Sequence, residues 1–95
     1  MELARIIGAM EIDMERIKEA IRRSEDGGFK LVTSLGLSIA SHGGLRQYGI
    51  SEDMESRAAE LTESIFDRVE TDYLTYLREM LDLETAMYET IIEYR

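Results

Sequence analysis

Ninety-five residues, 44% hydrophobic and 33% charged, describe a single folded domain over 1–95 rather than a disordered chain. A net charge of −9 argues against non-specific nucleic-acid binding and against docking on anionic lipid, since both depend on Lys and Arg. The absence of cysteine excludes disulfides, thiolate metal sites and cysteine nucleophiles, and the absence of proline suits uninterrupted helices.

The opening MELARIIGAM has no basic cluster ahead of an apolar run of signal length. No stretch approaches the roughly 18 apolar residues of a membrane span. A cytoplasmic protein is expected. Leu3, Ile7, Met10, Met14, Ile17 and Ile21 are spaced 4, 3, 4, 3 and 4, the seam of helices packed almost parallel. This predicts a first helix over about residues 2–25, stopped by Gly27-Gly28, with Arg22 and Arg23 at its negative end.

The middle segment is free of carboxylates between Asp26 and Glu52. Small and large residues alternate over 34–41, as in a half-buried strand. A lone strand in a helical chain has no partner unless a second subunit supplies it, so a helix over about 29–42 is preferred, with Phe29, Val32, Leu35/Gly36 and Ile39 on one face. That helix ends at His42-Gly43-Gly44. His42, Gly43, Gly44 and Arg46 are the candidate anion-binding loop, although two glycines beside an arginine also make an ordinary connector.

After Gly49 no glycine or proline occurs, and Ser51 with Glu52 and Asp53 forms a helix start. A long helix over about 51–94 is predicted, with a break conceivable near Thr71. At 1.5 Å per residue it would run roughly 60 Å, against about 36 Å for the first helix. Its wide apolar stripe then needs a second copy to cover it. The fold expected is all-α: two shorter helices and one long C-terminal helix, assembled as a homo-oligomeric bundle. The contact surface is assigned to Leu3, Ile7, Met10, Met14, Ile17 and Ile21 on the first helix. Tyr73, Tyr76, Met80, Met87, Tyr88 and Ile91 supply the other side.

No motif indicates catalysis, and the helix-turn-helix look of YGISEDMESRAAEL fails because acids stand where phosphates would lie. Glu60, Glu63, Asp67 and Glu70 share helical spacing and are the candidate ligands for a hard cation, a spacing that solvated acidic faces also show. No cofactor is expected. The leading functional expectation is a non-enzymatic protein–protein interaction module, an adaptor, small chaperone or regulatory subunit, that presents an acidic, methionine- and tyrosine-bearing helical bundle surface to a protein partner. The alternative is a helical metal- or anion-binding protein whose site is shared between subunits.

Overall fold

Hydrophobic spacing and a glycine stop make the first helix. In the computed structural model, which describes residues 2–68 and 72–95, α1 spans Leu3–Glu25. Its buried stripe is Ile6, Met10, Asp13, Ile17 and Ala20, spaced 4, 3, 4 and 3, with Ile7 beside it. Gly27 adopts φ 84°, and the Gly28 amide donates to the Arg23 carbonyl at 2.7 Å, which closes the helix end.

The middle helix is shorter than its periodicity predicts. α2 covers only Leu35–Ser41, and 29–34 carry no regular secondary structure. Tertiary hydrogen bonds decide this. The Tyr73 hydroxyl accepts from the Val32 amide at 3.0 Å and donates to the Lys30 carbonyl at 2.9 Å, so these groups are held outside any helix. Ser34 has extended φ/ψ of −116° and 120°, and its hydroxyl caps α2 by accepting from the Leu37 amide. The expected face therefore dissolves: Val32 is buried, whereas Phe29 and Leu35 point outward.

Ser51 caps the next helix as its sequence suggests, accepting from the Met54 amide at 3.2 Å. A 3₁₀ turn at Arg46–Tyr48 precedes it. The expected single helix over 51–94 is replaced by α3 (Glu52–Glu63), α4 (Ile65–Arg68) and α5 (Tyr73–Tyr94). At the first interruption the Leu61 carbonyl accepts from the Ser64 and Tyr76 hydroxyls, so side chains hold the group that would carry the helix onward. The break anticipated near Thr71 lies outside the described residues.

The interruptions let α5 turn back along α1. Tyr88 donates to Glu11, Thr85 to the Met14 sulfur, and Arg78 to Glu25, so residue numbers fall on one helix as they rise on the other. The two helices are therefore antiparallel. At 1.5 Å per residue, 23 and 22 residues give lengths of roughly 35 and 33 Å, a close match. The molecule measures 39 × 21 × 18 Å, far short of a 60 Å rod.

This corrects the placement of the contact surface. Ile7, Met10, Ile17, Tyr73, Tyr76, Met80, Met87 and Ile91 are buried within one copy of the chain. Leu3, Met14, Ile21 and Tyr88 are half-buried. The stripe assigned to a second subunit is the core between α1 and α5, with α2 and α3 packed together alongside. Among the described residues there is no strand, and no helix is long and apolar enough to cross a membrane.

Candidate functional site

Two acids fall in the apolar stripes. Asp13 lies between Met10 and Ile17 on α1, and Glu84 between Met80 and Met87 on α5; they are 2% and 0% exposed. Antiparallel packing brings both to Ser34. Its Oγ lies 2.7 Å from Glu84 Oε2 and 3.2 Å from Asp13 Oδ2, while the Gly36 amide donates to Asp13 Oδ2 at 2.8 Å. No lysine, arginine or histidine side chain bonds either carboxyl among the described residues.

Counting protons shows what this cluster must contain. A serine hydroxyl has one proton to donate and two lone pairs. Ser34 Oγ already accepts from the Leu37 amide, so it can donate to only one of the two carboxyls. The other contact closes only if that carboxyl itself carries a proton. Glu84 is the proton's place: burial, reinforced by the neighbouring Asp13 carboxyl, pushes its pKa up to about 8 from an ordinary 4.5. The relay then runs from Glu84 to Ser34 to Asp13. Glu84 Oε1 faces Gly36 and has no hydrogen-bond partner; a Cβ at Gly36 would stand 2.6 Å from it. Glycine is what lets α2 lie this close.

The relay fastens an extended strap to the helices. Along 29–35 burial alternates, with Val32 and Ser34 inward and Phe29, Leu31, Thr33 and Leu35 outward. Phe29, Leu31 and Leu35 remain 60%, 45% and 50% exposed, although Phe29 leans on Tyr73 with ring centroids 5.2 Å apart. The amides of Leu31 and Thr33 make no hydrogen bond among the described residues. Successive amides of an extended chain point to opposite edges, so the bond from Val32 to Tyr73 uses one edge and leaves the other free.

Where the strap enters α2, a cavity of about 330 Å³ opens between α1, α2, α3, α4 and α5. Leu37, Ile65, Tyr76 and Met80 give it an apolar lining, and Arg16, Thr33, Ser34, Ser38 and Thr62 bring polar groups. Burial pushes the Tyr76 hydroxyl up to about 12, and that hydroxyl is spent on the Leu61 carbonyl.

The other residues singled out from the sequence are placed as follows. In the anion-loop candidate, the Gly43 and Gly44 amides donate to the carbonyls of Ala40 and Ile39, a helix-ending pattern with Gly43 at φ 80°. Arg46 grips Glu55 through two bonds of 2.8 and 2.6 Å, and His42 Nδ1 lies 2.8 Å from the Ser38 carbonyl. The loop's donors are therefore largely engaged within the chain. Glu60, Glu63 and Asp67 border an open depression together with Arg57 and Arg68, and Glu60 pairs with Arg57. Glu70 lies outside the described residues. No group of three acids or histidines positioned for a metal occurs among the described residues.

Sequence reasoning missed Asp13 and Glu84. The available signal was a carboxylate at a stripe position, spaced 3 or 4 from apolar residues on either side. A comparison with protein-family models, curated proteins and solved structures finds no match to this chain.

Proposed function

We propose that the chain is a non-enzymatic protein-interaction module of the cytoplasm, and that it docks an extended, acidic and apolar segment of a partner along the 29–35 strap. One observation carries this reading: the strap shows three outward apolar side chains beside unpaired amides at Leu31 and Thr33, an edge onto which another strand can add. Charge selects the occupant. In a molecule of net charge −9, residues 27–51 hold no carboxylate, and Lys30 on the strap has no ion pair among the described residues.

Self-association through the same edge is the remaining route to the dimer anticipated from the sequence. It would set two carboxylate-free basic segments side by side, so an acidic partner complements the edge better. The relay of Glu84, Ser34 and Asp13 suits this role because it holds the strap rigid before a partner arrives, which lowers the ordering cost of binding.

A synthetic peptide of alternating Asp and Val, titrated into the labelled protein, tests the reading. The amide resonances of Leu31 and Thr33 are expected to move, with binding weakened by salt and by Leu31→Asp, and a Lys-Val peptide is expected to bind less well. No movement at millimolar peptide, or movement confined to helical surfaces, would overturn it.

A further inference from the structure

We propose that the cavity beneath Arg16, which borders the strap at Thr33, Ser34 and Leu35, is a binding site for a small apolar carboxylic acid. Of the chain's 20 Asp and Glu residues, none lines this cavity, whereas the open depression near α4 is bordered by three. Several of its polar groups are already committed: the Ser34 hydroxyl to the relay, Thr62 to the Ala58 carbonyl, Tyr76 to the Leu61 carbonyl. The Arg16 guanidinium and the Thr33 and Ser38 hydroxyls have no bond among the described residues. These are donors without an acceptor, gathered at one site.

Arg16 is distinctive among the cations. Every other described lysine or arginine has a carboxylate within 4.0 Å, save Lys30 and the terminal Arg95. A planar guanidinium in a cavity that also bears the Thr33 and Ser38 hydroxyls matches the paired oxygens of a carboxylate. The lining of Leu37, Ile65 and Met80 asks for an apolar body behind that headgroup. Size sets its bulk: an apolar cavity of about 150 Å³ takes a benzene ring, so 330 Å³ accommodates a body of about six to eight carbons with its carboxylate.

Titration with hexanoate, followed through the methyl resonances of Ile65 and Met80, tests the assignment, with hexan-1-ol as the uncharged control. Hexanoate is expected to bind about tenfold more tightly than the alcohol, the difference a charge-assisted pair supplies. Arg16→Gln, at an exposed position, is expected to erase that preference and leave alcohol binding within about twofold. Thr62→Leu, which fills the cavity from α3, is expected to abolish both while the circular dichroism spectrum is retained. Equal affinity for acid and alcohol, a preference that survives Arg16→Gln, or shifts centred outside the cavity would overturn the proposal. So would the absence of binding at millimolar hexanoate. Because the readouts lie at Ile65 and Met80 rather than at the amide of Leu31, which does not line the cavity, failure here and failure of strap docking are separable.

Discussion

Glu84 is the residue whose chemistry the fold alters most. A carboxyl whose folded-state pKa lies above its unfolded one contributes stability that is complete below the unfolded value and lost as pH rises through the folded one. For Glu84 the window runs from about 4.5 to about 8, because burial beside Asp13 favours the neutral form. The difference corresponds to about 3–5 kcal/mol lost across that window. Urea denaturation at pH 5 and pH 8 is expected to show this decline. Glu84→Gln, which has the same shape and no ionisation, is expected to flatten the decline and to be more stable than the wild type at pH 8. Equal pH dependence in both proteins would mean that Glu84 is not the group responsible. Since the relay joins α1, the strap and α5, rising pH loosens the element proposed to dock a partner.

At the scale of the element, the strap depends on Tyr73. Its hydroxyl serves both the Val32 amide and the Lys30 carbonyl, two bonds that keep residues 29–34 from continuing α2 towards the N-terminus. Tyr73→Phe removes both while keeping the ring against Phe29 and Tyr76. The cost is about 1–3 kcal/mol, and hydrogen exchange at the Val32 amide is expected to accelerate at least about tenfold on the local-opening scale. The Leu31 and Thr33 amides, already without partners, are expected to exchange fast in both proteins. Protection of Leu31 and Thr33 in the isolated wild type would show that the edge is already occupied.

At the scale of the molecule, the antiparallel pair of α1 and α5 removes the reason for obligatory assembly. A chain that needed a second copy to hide its stripe would melt at a temperature that rises with concentration. Here the stripe closes within one copy, with Met10, Ile17, Leu77, Met87 and Ile91 all 0% exposed. The melting temperature is therefore expected to stay constant from about 5 to about 500 μM. A marked rise with concentration would restore the assembled bundle.

Local signals in the sequence determined the elements that local chemistry can specify. The helical state of α1 and its Gly27-Gly28 stop, the Ser51 cap of α3 and the all-helical character follow from side-chain spacing, capping hydroxyls and glycine's access to positive φ, all interactions within a few residues of one another. Tertiary structure decided the rest. Helical periodicity runs through residues 29–35 and through Ser64, yet the Tyr73 hydroxyl, 41 and 43 positions from Val32 and Lys30, and the Tyr76 hydroxyl, 15 positions from Leu61, capture the backbone groups those helices needed. The buried stripe of α1 passes through Asp13 rather than Met14, because an acid is tolerated in a core only where a protonated Glu84 and Ser34 close its hydrogen bonds. That condition joins residues 13, 34 and 84; each neighbourhood shows at most a carboxylate or a serine, and only the packing brings the three together.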